Sequence, residues 1–150
     1  MHFSKASTYG IRAVAYMASH NERSAVPVRE ISERLQIPAA FLTKVMQRLA
    51  SAGIVQTTRG YGGGVTLSRP AYEITLKQVI QAIEGEGAFE QYWLGIAREH
   101  MLQIPEFHNK WQQLNRSLDH FFATTHMDEL SVDKGGRSRE RSGDGRISVL

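Results

Sequence analysis

The chain has no cysteine among its 150 residues. Disulfides, thiolate metal ligands and cysteine nucleophiles are therefore excluded outright. No apolar run approaches the ~20 residues that span a bilayer, so no transmembrane helix is expected. The N-terminus lacks the charged-then-apolar pattern of a signal peptide, and the expected location is the cytoplasm. Catalytic groupings are absent as well. No Ser/His/Asp set and no pair of carboxylates can be assigned to nucleophilic or acid–base work, so an enzyme is not expected. Acidic residues are scarce in one region. Residues 1–70 carry nine Lys/Arg against three Asp/Glu, residues 71–130 four against nine, and residues 131–150 five against three. The basic excess of the first half suits attraction to nucleic acid, whereas the overall charge of +3 argues almost nothing.

What is present is organised around Ile37 to Leu67, IPAAFLTKVMQRLASAGIVQTTRGYGGGVTL. Pro38 suits the first turn of a helix, where its missing N–H costs nothing. Phe41, Leu42, Val45, Met46 and Leu49 fall on one helical face. The opposite face carries Ala39, Ala40, Thr43, Lys44, Gln47, Arg48 and Ser51, none of them acidic. Gly53 can stop the helix in a left-handed conformation. Ile54 to Thr57 reads as a short strand, Arg59 to Gly64 as a hairpin tip, and Val65 to Leu67 as the returning strand. Alone, this could be a solvated amphipathic helix and a hairpin. The preceding stretch changes the balance. Val28, Ile31 and Leu35 sit at helical spacing in Pro27 to Leu35, and Gln36 and Ile37 leave room only for a tight turn. Two short helices so joined form a helix-turn-helix unit, whose second helix enters the major groove.

The run from Pro27 to Pro70 resembles the Rrf2 family of bacterial winged-helix regulators. Three pieces occur together and in order: the ISERLQIP turn, the FLxxVMQRLxxAGIV helix and the RGYGGGVxLxRP wing. The resemblance extends from about Ser4 to about Leu130. It implies a DNA-reading head on a homodimer, with the wing arginine, here Arg59, entering the minor groove beside Gly60 and Tyr61. In the expected recognition helix, Thr43, Lys44, Gln47 and Arg48 have the reach and chemistry for double-stranded DNA. Lys and Arg more often position on phosphates, while Thr43 and Gln47 can meet base edges. Ala39 and Ala40 stand where the family often has polar groups, so the operator sequence does not follow from the resemblance. The glycines 60–64 are not a nucleotide-binding loop, because the Gly-Lys-Ser/Thr ending is missing.

The remaining elements follow the same periodicity rules. Ser4 to His20 reads as a strongly apolar first helix, capped by Ser4 or Ser7. Lys5 and Arg12 are candidates for phosphate contact or for a solvated surface. Thr75 to Ile83 predicts a helix with Leu76, Val79, Ile80 and Ile83 on one side, Thr75 as N-cap and Gly85 as its end. Glu106 to Thr124 predicts the longest helix. Along it Phe107, Trp111, Leu114, Leu118 and Phe121 recur at spacings of 4, 3, 4 and 3, a heptad seam suited to a homodimer interface, the alternative being a core contact within the chain. Thr124 to Leu130 resembles the family's short closing turn. Beyond Ser131 glycine, serine and charge dominate, which predicts a disordered tail.

Family members that carry an iron–sulfur cluster place three cysteines between the fourth helix and the long one. Here the framework persists in Phe89, Leu94, Gly95 and the HNKW run from His108 to Trp111, but the thiolates do not. Tyr92 stands at the first position, and the others fall near His100 and near Ile104 or Pro105. Thr8 stands where some relatives offer a carboxylate. Clusters are held mainly by cysteine thiolates, so no cluster and no other cofactor is expected. His100 and His108, with Glu99 and Glu106, fit no compact metal-ligand spacing. Phe89, Tyr92 and Trp93 could line an effector pocket, or be plain core. The expected fold is mainly α with a small β-hairpin wing, a winged helix-turn-helix plus a long dimerisation helix. Its parts are a head at 1–84, a linker or sensor segment at 85–105, a dimerisation helix and closing turn at 106–130, and a tail at 131–150. The expected function is a repressor binding a pseudo-palindromic operator, with a small-molecule or protein effector in place of a cluster. The alternative is a regulator controlled by a protein partner and acting mainly as an interaction module.

Overall fold

A computed structural model describes residues 3–20, 24–89 and 103–131. The first helix, α1 (Lys5–Ala18), starts at Ser4, whose hydroxyl oxygen accepts the Ser7 N–H at 3.2 Å. Of the two serines able to cap, Ser4 does so, and Ser7 is wholly buried. Ala13, Val14 and Met17 fill the core from α1. Tyr16, also on α1, is half-buried and gives its hydroxyl to Glu30 at 3.1 Å.

The chain then forms α2 (Val28–Leu35) and α3 (Ala39–Ser51). Their connection is only three residues, Gln36, Ile37 and Pro38, with Pro38 standing just before the helix. Gln36 takes a left-handed conformation (φ 54°). The buried Ser32 hydroxyl donates to the Ile37 carbonyl at 2.6 Å, and the Ile37 N–H donates to the Ser32 carbonyl at 3.0 Å. Leu42, Val45, Met46 and Leu49 are buried from α3, as the spacing requires. Phe41 is the exception. It stays 40% exposed and packs edge-on against Tyr9, ring centroids 5.4 Å apart.

After Gly53 the hairpin follows, β1 (Val55–Thr58) antiparallel to β2 (Gly64–Leu67), with Val55 opposite Leu67 and Thr58 opposite Gly64. Val26 pairs with the other edge of β2. Its N–H and carbonyl each bond Val65, both at 2.9 Å, so the hairpin is stitched to the segment entering α2. A 3-10 turn, Ala71–Glu73, leads into α4 (Leu76–Glu84). Thr75 and Gln78 form a reciprocal capping box, satisfying two backbone donors at once. Leu76, Val79, Ile80 and Ile83 are all buried.

The long helix α5 (Pro105–Thr124) packs on α4 through its C-terminal half. Lys77 pairs with Asp119 at 2.5 Å, and Phe122 is buried against Phe3 and Phe89 with centroids 5.5 and 5.1 Å away. Phe89 thus serves as core packing. The closing turn Met127–Leu130 enters the same core, with Met127 wholly buried. Its approach is paired to the entry of α4: Leu76 N–H to Thr125 carbonyl at 2.8 Å and Met127 N–H to Ile74 carbonyl at 2.9 Å. The head's core therefore continues past residue 84 and draws on the end of the long helix. The heptad seam divides into two edges. Trp111 is buried and Leu118 packs on the core, whereas Leu114 and Phe121 are 49% and 54% exposed and Phe107 is half-buried. Tyr92, Trp93, His100 and the tail from residue 132 lie outside the described residues.

Candidate nucleic-acid interface

The outer face of α3 is exposed at every position that the sequence assigns to it: Ala39, Ala40, Thr43, Lys44, Gln47, Arg48 and Ser51. The hydroxyls of Thr43 and Ser51 fold back onto their own helix, donating to the carbonyls of Ala39 and Gln47, both at 2.9 Å. A hydroxyl so engaged keeps lone pairs able to accept from a base edge or a solvent water. Lys44 and Gln47 project one helical turn apart. Arg48 differs from its neighbours. Its guanidinium donates to the carbonyl of Ile83 on α4 at 2.8 Å.

The wing presents Arg59 at the end of β1 and a fully exposed Tyr61 at the tip. Gly60 and Gly62 flank that tyrosine with φ of 97° and 75°, values that side-chain-bearing residues rarely adopt. The tip is closed by the Gly63 N–H donating to the Gly60 carbonyl at 2.9 Å. Lys5 is exposed in the first turn of α1. Arg12, read from sequence as a possible phosphate contact, donates instead to the Leu35 carbonyl at 2.8 Å, tying α1 to the helix-turn-helix turn.

Two polar anchors of this surface escaped sequence reasoning. Arg69, at the foot of the wing, donates to the Gly53 carbonyl at 3.1 Å and to the Gln78 side-chain oxygen at 3.2 Å, fixing the hairpin to the end of α3 and to α4. Glu84 accepts the Ser7 hydroxyl at 2.6 Å and the Ser4 N–H at 3.0 Å. Burial works to raise the Glu84 carboxyl, but these hydrogen bonds and the Arg48 charge outweigh it and hold the group below the usual carboxylate range. Burial and the bond to Glu30 push the Tyr16 hydroxyl upward.

Among the described residues no three His, Asp or Glu side chains gather closely enough to hold a metal ion. His108 sits half-buried on α5 with its Nε2 2.8 Å from the Gln112 side-chain nitrogen. None of the described helices is long and apolar enough to cross a membrane.

Known proteins share this arrangement. The profile of the Rrf2 family, described as an iron-dependent transcriptional regulator, matches residues 3–133. Protein aau3 of Rhizobium meliloti is 39% identical over 92 residues, covering 61% of this chain and 58% of that protein. An inferred HTH-type transcriptional regulator of Aquifex aeolicus is 31% identical over 142 residues, covering 89% of this chain and 94% of the relative. The HTH-type regulator IscR of Vibrio cholerae is 28% identical, covering 89% and 76%. Among solved structures, CymR, the global cysteine regulator of Bacillus subtilis, superposes with a TM-score of 0.72 at 18% identity, covering 87% of this chain and 96% of that one. The IscR of T. potens gives 0.66 at 22% identity, covering 87% and 86%. Those two likenesses speak to the fold. With a helix-turn-helix, a glycine-tipped wing and a family match over most of its length, the chain belongs to the Rrf2 family: it is a winged-helix DNA-binding transcriptional regulator and not an enzyme.

Proposed function

We propose that this regulator works as a homodimeric repressor in the cytoplasm, covering a pseudo-palindromic operator and answering to a signal other than an ordinary iron–sulfur cluster. The observation that carries the reading is the pairing of two exposed surfaces. One is the acid-free face of α3 with Arg59 and Tyr61 beside it. The other is the apolar edge of α5, where Leu114 and Phe121 are exposed and Phe107 is half-buried. A symmetric contact along that edge would present two heads to successive turns of the duplex. Lys44 and Lys5 would take phosphates, Thr43 and Gln47 base edges, and Arg59 the minor groove. The family's description as iron-dependent raises the question of fit. The chain offers no thiolate at all, so the donor set does not match a cluster of the usual kind.

The test is selection from genomic DNA fragments, with sequencing, by wild type and Arg59→Ala at two salt concentrations. Recovery of a palindromic site that Arg59→Ala loses is the expected result. Sequence-blind binding by wild type, equal to that of Arg59→Ala, would overturn the reading. Absorption and stoichiometric iron and sulfide in anaerobically purified protein would overturn the signal assignment.

A further inference from the structure

We propose that the last turn of α4 is a clamp that sets the attitude of α3 on DNA, with Arg48 and Glu84 as positioning residues instead of DNA contacts. The inference rests on the DNA-reading role proposed above for α3. Residues 83 and 84 are consecutive, yet each holds a different helix. The Ile83 carbonyl takes the Arg48 guanidinium of α3 at 2.8 Å. The Glu84 carboxylate takes the Ser7 hydroxyl and the Ser4 N–H of α1 at 2.6 and 3.0 Å. Beneath them, the Ile83 side chain fills the space left by Gly10 of α1, beside Val45 of α3.

Each bond answers a definite need. The final carbonyls of a helix have no partner within it, and they carry the negative end of its dipole. Arg48 supplies both a donor and a charge of the favourable sign at the C-terminus of α4. Glu84 stands at the opposite kind of end. The N-terminus of α1 exposes unpaired N–H groups and favours an anion. Ser7 is wholly buried, so its hydroxyl depends on Glu84 for an acceptor. Removing either side leaves polar groups without a partner, while the apolar core below remains intact.

The clamp sits at the very end of α4. Gly85 follows at once, with φ 94°, and there the chain leaves α4 toward residues 86–105. The turn that follows, Glu86–Phe89, is itself held, because Phe89 packs against Phe3 and Phe122. Lys44, one turn earlier on α3, has no such tie among the described residues and provides the contrasting case of an exposed cation on the same face.

Salt dependence separates the two roles for Arg48. A phosphate contact contributes about 0.9 to the slope of log affinity against log salt. Arg48→Ala should weaken operator binding about five- to tenfold with the slope unchanged, because a net hydrogen bond is lost and no counterion is released. Arg48→Gln keeps an N–H donor without the charge and should recover part of that loss, again with the slope unchanged. Lys44→Ala should lower the slope by about 0.9. A slope lowered equally by Arg48→Gln and Lys44→Ala would overturn the proposal. A second arm needs no DNA. Amide exchange of the free protein should quicken in the first turn of α1 for Glu84→Ala and near residues 48–53 for Arg48→Ala, and stay normal in Glu84→Gln. Unchanged exchange in both alanine variants would refute the clamp, even were wild type to select no operator and the functional reading to fail on its own.

Discussion

Gly10 offers a sharp test of how the helices of the head fit together. A Cβ built on Gly10 would collide with the Ile83 Cδ1 and would lie 3.4 Å from the Val45 Cγ1. Two effects oppose one another in Gly10→Ala. Alanine gains about 1 kcal/mol of helix propensity over glycine inside α1. Forcing a methyl into a filled core costs about 1–3 kcal/mol. Ile83 is only 4% exposed, so its end has little room to swing aside, and a cost of about 2 kcal/mol applies. The net expectation is a loss of about 1 kcal/mol. Ile83→Val deletes the colliding methyl and costs about 1 kcal/mol alone. In that background Gly10→Ala should regain its propensity gain. The double variant should then lie within about 0.5 kcal/mol of wild type, an interaction of about 2 kcal/mol between the two sites. Urea unfolding followed by circular dichroism, at one protein concentration because self-association would shift the midpoint, measures all four species. Additive effects, or an alanine at position 10 that stabilises unaided, would refute the close packing of α1 on α4.

Further outcomes follow from the same geometry. Leu114→Glu with Phe121→Lys should give monomers of normal helicity by light scattering, whereas unchanged dimer mass would remove α5 from the interface; Trp111 and Leu118 are poorer targets because they pack within the chain. The Glu84 carboxyl is held below its ordinary value of 4.5, so its stabilisation is full above that pH and is lost as pH falls through the lower folded value. Glu84→Gln should lose less stability than wild type between about pH 5 and 3, and identical acid profiles would count against the Ser4–Ser7–Glu84 bonds. Ser32→Ala strands the Ile37 carbonyl in the helix-turn-helix turn and should cost about 1–3 kcal/mol in urea midpoint experiments. A neutral result there would mean that water replaces the hydroxyl.

The secondary structure was legible wherever the signal is local. The spacing of Leu42, Val45, Met46 and Leu49, the Thr75 cap and the glycine tip of the wing each specify their element from a few adjacent residues. Arginines were not legible. Arg12, Arg48 and Arg69 read in one dimension as cations on a basic half-chain, but each guanidinium meets a carbonyl 23, 35 or 16 residues away. Nothing in local charge distinguishes a cation that anchors backbone from one that reaches phosphate. Glu84 hid for the same reason, its partner Ser4 lying 80 residues away. The heptad spacing of α5 identified five apolar positions but not their division. Residues 111 and 118 turn toward the chain and residues 114 and 121 away from it, a choice made by Phe122 docking on Phe3 and Phe89.

The closing turn has a consequence for the order in which the protein is made. Met127 is wholly buried in the head, and its own N–H and the Thr125 carbonyl before it pair with Ile74 and Leu76 at the start of α4. A nascent chain that has only just released the wing and α4 from the ribosome still lacks this plug. The DNA-reading part cannot complete its core until the whole of α5 has been synthesised behind it. Maturation of the head thus waits for the helix that bears the exposed apolar edge, so a head freed early by truncation would emerge with an open core and without that edge.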